Sequence, residues 1–596
     1  MANERKEVFL TDMAEAFGNS EAISEIGSID KWRSVTYETN AYSGVMLAAL
    51  GGARPDDIVC DPHLEGWYKI YISVPANPDT RLFIKLKQDD AFLMVHNQRL
   101  NGNFVEEFLW RCADMTGEAV TLTRRKMALE TNSYISALRF VPMTYEEVEE
   151  WKREDTRTDT KRIYTTDDMH NRPYITKTET IDDWIATVLP FRHSDAEWFS
   201  MEDIRIFDGG VCPNEPDKHA FSREGDRWVQ KQVNMFDYDE ILRRITEKGH
   251  EIGLKISVST RMGAWGMMFP WDQCYFDCDF HAEHPEWRCL DRNGDEIAAL
   301  SYAFEGVRKF MIDYIVNMAR SGCDAVTLIA HRGIPYVHYE KPVADRFFEL
   351  YGEYPYELPL DEQRLNKLHC DIMTEFFREL REALDENFGK NKVEIHLRAQ
   401  FSLVDNKYIG LDCERLAAEG LVNAIVSYPQ RHHELIPDSI RKADDPSRID
   451  LEKYTEYVNG YNGSVFHSND FDFRGPYQNS RGENVGPETQ AARIAEWNAL
   501  EDTYGVKVYI DILPREMANA EFKRRVQEIY DLGARRIALW DTYSRVWNQP
   551  MWNLVSRFGH KDEIADMPLY DTGYKNFRFL KIGNTVFKRY NPLWGG

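Results

Sequence analysis

The sequence predicts an α/β protein: a (β/α)8 TIM barrel preceded by an antiparallel, jelly-roll-like β-sandwich. Three observations point there. Short β-rich runs at regular spacing fill the first quarter of the chain, the pattern of a sandwich. Beyond about residue 181, β-branched runs alternate with amphipathic helices, the grammar of repeated βαβ units. No glycine-rich dinucleotide fingerprint or phosphate loop follows any of these runs, which favours a closed barrel over an open doubly wound sheet. The 596 residues divide accordingly into a sandwich over 1–148, a linker over 149–180, a barrel over 181–560 and a tail over 561–596 that packs back on a domain.

In the sandwich, Trp67–Val74 places Tyr68, Ile70, Ile72 and Val74 on one face and Lys69 and Ser73 on the other, the period of two of a strand. Pro75–Asp79 breaks the run. Strands over Arg81–Lys87, Ala91–Val95, Glu107–Cys112, Val120–Arg124 and Tyr134–Val141 follow, separated by polar or glycine-containing turns. No exposed aromatic platform is identifiable, so bracing of the neighbouring domain is the expected role. Charged residues and threonines then dominate 144–180, with a short helix near Tyr145–Lys152, as expected of a connector.

The barrel opens with a strand at Asp203–Phe207 and helix Tyr238–Lys248, whose Ile241, Leu242 and Ile245 share a face. Leu254–Thr260 is the second strand and Ala299–Ala303 a short third. Helix Val307–Ala319 carries the stripe Val307, Phe310, Met311, Tyr314, Ile315 and Met318. Ala325–Ala330 is the fourth strand. The long helix Leu365–Phe388 buries Leu368, Ile372, Phe376, Leu380 and Leu384, with Gly389 placed as a left-handed cap. Strands at Val393–Leu397, Leu421–Tyr428, Val506–Leu513 and Arg536–Trp540 complete the set, with helices at Cys413–Glu419 and Ala518–Leu532 between them. Val465–Ser468 is a ninth strand candidate.

Composition bounds the partners. Lys plus Arg total 73 against 99 Asp plus Glu, a formal charge of −26, which excludes a general nucleic-acid binder. The 43% hydrophobic content supplies a substantial core, and the 13% aromatic content suits a ligand with flat amphipathic faces such as a sugar. Nine scattered cysteines, an odd number, argue against a disulfide framework and fit a reducing compartment. No uninterrupted apolar run approaches the ~18 residues of a membrane span, so a cytoplasmic protein without a membrane partner is expected, with room left for a homo-oligomer.

In such barrels the chemistry sits just beyond the carboxyl ends of the strands. Those positions carry Asp208, Arg261, His331, Arg332, Glu340, His396, Arg398, Asp511, Arg515, Trp540, Asp541 and Arg545. Convergent acids suit glycosidic cleavage, in which one carboxylic acid protonates the leaving oxygen and a second carboxylate attacks the anomeric carbon or activates water. Glu340 is the candidate acid, and Asp511 or Asp541 the second carboxylate. Asp511 reads equally as a buried acid paired with a barrel arginine, and Glu340 equally as a solvated loop acid. Asp208, Arg261, His331, Arg332, His396, Arg398, Arg515 and Trp540 are candidates to hold the sugar. Trp287 is a stacking candidate or a core aromatic. The rim arginines suit an anionic sugar through forked hydrogen bonds, or else they counter the barrel's own acids.

Metal signals are weak. Cys274-x3-Cys278-x2-His281-x2-His284 fits no common zinc module, and Asp291–Glu296 misplaces the glycine of a calcium loop. No cofactor is expected. A serine-hydrolase elbow is absent from the sequence.

His284-Pro-Glu-Trp287, Leu300-Ser-Tyr-Ala303, Arg332-Gly-Ile-Pro335 and Tyr339-Glu340 resemble motifs of the bacterial glycoside-hydrolase-like barrels related to family 10. So do Leu513-Pro-Arg-Glu-Met517, Ile529–Ala534 and Trp540-Asp541. The resemblance spans Ile204 to Arg545 and implies a hydrolase of O-glycosidic bonds, a role in polysaccharide degradation and an oligosaccharide or glycoside substrate. One departure stands out: Ala330-His331 occupies the strand-four end where that pattern has an acid, so the resemblance transfers no catalytic pair. The remaining alternatives are a glycan-binding barrel without catalysis, and a lyase or isomerase with His331 or His396 as base.

Overall fold

The computed structural model describes residues 5–587 except 19–20, 27, 77–79, 97–102, 127–130, 170–171, 173–175, 177, 179, 204–236, 264–278, 332–334, 359–361, 401, 429–440, 443–444, 450–486, 513–517, 541 and 571–572. The chain forms two compact units. One comprises residues 1–161, 171–195 and 543–596, and the other 162–170 and 196–542.

The first unit holds two antiparallel sheets. The larger has ten strands, eight of them in the order Val8–Leu10, Ala137–Pro142, Trp67–Pro75, Phe104–Asp114, Gly573–Ile582, Trp32–Thr39, Ser43–Ala49, Ser133–Ile135. The smaller runs Ile58–Cys60, Val120–Thr123, Arg81–Leu86, Leu93–His96. Ile70, Ile72, Phe108, Leu138 and Phe140 of the large sheet share one core with Ile58, Ile84, Leu86, Val120 and Leu122 of the small one. That shared core makes the pair a sandwich. The face expected to be buried in Trp67–Pro75 is buried, with Tyr68, Ile70, Ile72 and Val74 all inside.

The second unit is a closed barrel of eight strands. In order they are Ile163–Asp167, Ala196–Glu202, Lys255–Arg261, Ala325–Ile329, Glu394–Ala399, Ala424–Ser427, Lys507–Asp511 and Ile537–Leu539, the last pairing with the first. Every pairing within it is parallel. The fold class therefore stands as read from the sequence, but three strand assignments do not.

The first strand, Ile163–Asp167, lies in the stretch read as a linker. All five of its residues are buried, yet three are Thr165, Thr166 and Asp167, so it lacks the apolar signature of a core strand. Its polar groups are satisfied inside: Thr165 Oγ1 donates to the Trp198 carbonyl at 2.8 Å. The second strand ends at Glu202, ahead of the Asp203–Phe207 run expected to be a strand. Of that run only Asp203 is described, its amide donating to the Ser259 carbonyl at 2.7 Å. Third, Ala299–Ala303 is not in the barrel. Glu296–Leu300 pairs antiparallel with Arg288–Leu290 as a separate hairpin. Val465–Ser468 lies outside the described residues.

The tail contributes more than packing. Gly573–Ile582 pairs with Phe104–Asp114 on one side and Trp32–Thr39 on the other, completing the large sheet. Gly389 ends the long helix Gln363–Phe388 at φ 98° and ψ 151°, a positive-φ cap outside the left-handed helical region expected for it.

Candidate functional site

Strand alternation decides what enters the barrel, because residues two apart share a face. Towards the amino end, Tyr164, Trp198, Ala325, Ala424, Val426, Tyr509 and Ala538 form one buried cluster. The Tyr164 hydroxyl bonds Thr327 Oγ1 at 2.7 Å and His396 Nδ1 at 3.1 Å. His396 Nε2 meets Glu394 at 2.9 Å, and its ring packs edge-on to Trp198 at 4.5 Å. Burial lowers the pKa of this imidazole, the Glu394 carboxylate only partly opposing it. His396, expected near a sugar, thus belongs to the packed middle of the barrel.

Two residues further towards the carboxyl ends of two strands, the inward position passes from His396 to Arg398 and from Tyr509 to Asp511. Arg398 and Asp511 form an ion pair in which both side chains are fully enclosed. Arg398 Nη1 donates to Thr166 Oγ1 at 3.0 Å, and its guanidinium lies 4.3 Å from the Trp540 ring centroid. The barrel arginine named as Asp511's alternative partner is thus Arg398. Only Oδ2 of Asp511 is so engaged. Its Oδ1 is buried and accepts no hydrogen bond among the described residues. Trp540 packs edge-on to His331 at 5.1 Å, and His331 stacks on Tyr428 at 4.2 Å.

A second charged group stands on the neighbouring strands. Arg261 Nε meets Glu202 Oε1 at 2.6 Å, and Arg261 Nη2 lies 3.8 Å from Asp168. The same strand ends bring in residues that the sequence reading passed over: Thr166, Asp168, Glu202, Gln400 and Tyr428. Gln400 is buried with neither side-chain amide atom hydrogen-bonded among the described residues. Glu202 was legible in principle, since Trp198-Ser200-Glu202 alternates as Tyr509-Asp511 does. It was hidden by placing the strand one segment too late.

Glu340 occupies a different setting. It follows the loop after the fourth strand, at the start of helix Lys341–Tyr351, and is 1% exposed. A buried acid thus replaces the solvated alternative. Its carboxyl accepts from Ser301 Oγ, from the His338 amide at 3.0 Å and from the Leu290 amide at 3.5 Å. Burial raises its pKa despite these donors. The described contacts tie it to the Arg288–Leu300 hairpin, and none joins it to Asp511. Trp287 stacks on His284 at 3.8 Å and packs on Gly306, where a Cβ would come within 2.5 Å of the indole. Arg545 is buried on helix Thr542–Trp547, in the first unit. Asp208, Arg332, Arg515 and Asp541 lie outside the described residues, as do Cys274 and Cys278 of the weak metal motif.

Among the described residues, one group has metal-ligand reach: Glu154, His560 and Glu563. Arg157 already bridges its two acids, at 2.9 Å from Glu154 and 2.8 Å from Glu563, so the local charge balance is met by a guanidinium. No described helix is long and apolar enough to cross a membrane.

No protein-family model matches the chain, and no curated protein matches it. Solved structures similar to it include an alpha-amylase from Lactobacillus plantarum, 10% identical, covering 67% of this chain and 81% of that one, with a TM-score of 0.31. An alpha-galactosidase from Thermus thermophilus is 12% identical, covers 94% and 99%, and scores 0.31. A thiamine phosphate pyrophosphorylase from Pyrococcus furiosus is 10% identical, covers 68% and 98%, and scores 0.25. Likenesses at these scores carry no argument about fold or chemistry. The barrel stands on its own strand pairing.

Proposed function

We propose that the carboxyl end of the barrel hydrolyses an O-glycosidic bond, with Asp511 as the anionic carboxylate and Glu340 as the proton donor. The observation that carries this reading is the state of Asp511. One oxygen is held by a buried arginine, while the other is buried on the inward face of the strand with no hydrogen bond among the described residues. A buried charged pair is a poor stability device compared with apolar filling, which this barrel uses one layer below. Unsatisfied buried polar atoms beside such a pair are a recurring mark of a working site.

The chemistry follows from the two environments. An ion-paired carboxylate is anionic, as a nucleophile or base must be. Glu340 is raised by burial and has no cation among its described hydrogen-bond donors, which favours the protonated form an acid needs. Glu340 would give its proton to the glycosidic oxygen as the bond to the anomeric carbon breaks. Asp511 would attack that carbon or take a proton from the attacking water, and the net reaction adds one water per bond cleaved. Arg261, Arg398, Trp540 and His331 line the same strand ends, and Asp208, Arg332, Arg515 and Asp541 belong to the same proposed rim.

A glycan-panel digest with product mass analysis tests this. Asp511→Asn is expected to lower turnover by about 10²–10⁴-fold while ligand binding survives. Glu340→Gln is expected to slow natural glycosides and to spare aryl glycosides whose phenolate leaves unprotonated. Unchanged turnover in both variants overturns the assignment. Equal loss on both substrate types removes Glu340 as the acid. Binding without turnover in the wild type favours the glycan-binding reading, and an unsaturated product favours a lyase.

A further inference from the structure

The first unit contains a cavity of about 290 Å³ that the barrel chemistry does not use. It opens among the edge of the small sheet, strand Phe104–Asp114, the helical turn Leu189–Phe191 and helix Gln549–Val555. All of its lining residues belong to that one unit. Its size lies near the lower limit of the ~300–1,000 Å³ sites that enclose small ligands, room for one or two sugar rings.

Two features of the wall identify a ligand. The first is aromatic surface held in place by the framework. Trp110, Trp151, Trp547 and Trp552 all line the space. Trp552 is fixed by an indole N–H donated to the Pro190 carbonyl at 3.3 Å and by edge contact with Phe191 at 5.1 Å. Trp151 is wedged between Trp67 and His193. Anchored indoles present faces to a ring at low entropic cost.

The second feature is charge. The chain carries −26 overall, yet this wall sets five Lys and Arg against three Asp. The three aspartates each hold one cation in position: Asp89 with Arg111 at 2.8 Å, Asp183 with Lys126 at 2.8 Å, and Asp90 with Arg192 at 3.3 Å. Arg172 stands 5.8 Å from the Trp547 ring centroid. Arg557 reaches Asp195 only at 3.9 Å, and that carboxylate already bonds His560 at 2.7 Å. A net positive, indole-walled hollow in a strongly acidic protein concentrates anions locally and supplies forked donors for a carboxylate.

We propose that this cavity is a second binding site, separate from the strand ends of the barrel, for a uronate-type oligosaccharide: the sugar rings lie on the indoles and the carboxylate meets Arg557 and Arg192. The sugar part of this assignment rests on the proposed activity of the barrel, whereas the anionic, ring-bearing character rests on the cavity wall.

Calorimetric titration of the full chain with short oligogalacturonate tests it, in the Asp511→Asn background so that the ligand survives. Two classes of site are expected. Adding Arg557→Gln or Arg192→Gln weakens one of them about tenfold or more, the scale of one charge-assisted hydrogen bond, and leaves the other. Neither substitution is expected to change turnover of an aryl glycoside by the otherwise wild-type chain. If the barrel is not a hydrolase of glycans, the wild type leaves the oligomer intact and a single site remains, still weakened by these two substitutions. Binding unchanged in both variants overturns the site. Equal affinity for the carboxyl-reduced, neutral oligomer overturns the anionic class. Inorganic sulfate that titrates as tightly as the oligomer overturns the sugar.

Discussion

At the scale of single residues, the proposed site turns on which polar atoms have no hydrogen bond among the described residues. Asp511 and Glu340 are both carboxylates in largely dry surroundings, and their neighbours separate them. Arg398 stands against Asp511, whereas Glu340 is surrounded by amide and hydroxyl donors with no cation among them. That difference has a stability consequence. Glu340→Ala removes the acceptor of the Ser301 hydroxyl and of the His338 and Leu290 amides and leaves these buried donors unmet. A loss of ~1–3 kcal/mol in urea unfolding is expected, and a variant as stable as the wild type shows that the hairpin does not depend on this acid. Gly559 makes a second case. A Cβ there would sit 1.9 Å from the Thr160 carbonyl oxygen and 2.6 Å from Asp195 Cβ, so backbone has to move. Gly559→Ala is expected to cost ~3 kcal/mol, read as a lowered thermal midpoint.

At the scale of elements, segments remote in sequence complete one another. Gly573–Ile582 fills the place between Phe104–Asp114 and Trp32–Thr39. A chain ending at residue 572 leaves two unpaired edges in the middle of the large sheet, and it is expected to aggregate or to melt well below the full chain. A full-length-like melt from that truncation would show the strand to be dispensable. Residues 543–596 also supply His560, which bonds Asp195 at 2.7 Å and Glu154 at 3.1 Å. Burial lowers the pKa of this imidazole, but the two carboxylates outweigh it and the net direction is upward from 6.5. The charged form is therefore favoured by folding. Its stabilisation is complete below pH 6.5 and is lost as pH rises through the elevated value. His560→Gln is expected to flatten stability against pH across that window in denaturant titrations, and an unaltered slope would assign the effect elsewhere.

At the scale of the whole molecule, the two ends of the barrel carry different groups. The amino end is closed by Glu197, which accepts from the Tyr509 hydroxyl at 2.6 Å and Lys507 at 2.9 Å and faces Lys255 at 3.4 Å. Burial raises its pKa, but Tyr509 and Lys507 prevail and the net direction is downward. Stability from this carboxylate is present above pH 4.5, its ordinary value, and is lost as pH falls through the depressed one. Glu197→Gln should cost ~1.5–3 kcal/mol near neutral pH and less in acid, as read from unfolding curves. The fold class was legible because sandwich and barrel strands differ in local periodicity, which neighbouring residues carry. The strand-end positions of Asp511, Arg398 and Trp540 were legible because strand ends can be read from the same periods. Strand Ile163–Asp167 was not, because threonines and an aspartate look like linker until surrounding strands satisfy their hydrogen bonds. Local pattern alone thus determined that this chain builds a sandwich and a barrel with charged strand ends. Only tertiary structure decided that Asp511 pairs with Arg398, that Glu340 answers to a hairpin and that Gly573–Ile582 lies inside the first unit's large sheet, because pairing across hundreds of residues is set by packing and by the cost of leaving buried charges and backbone groups unmet.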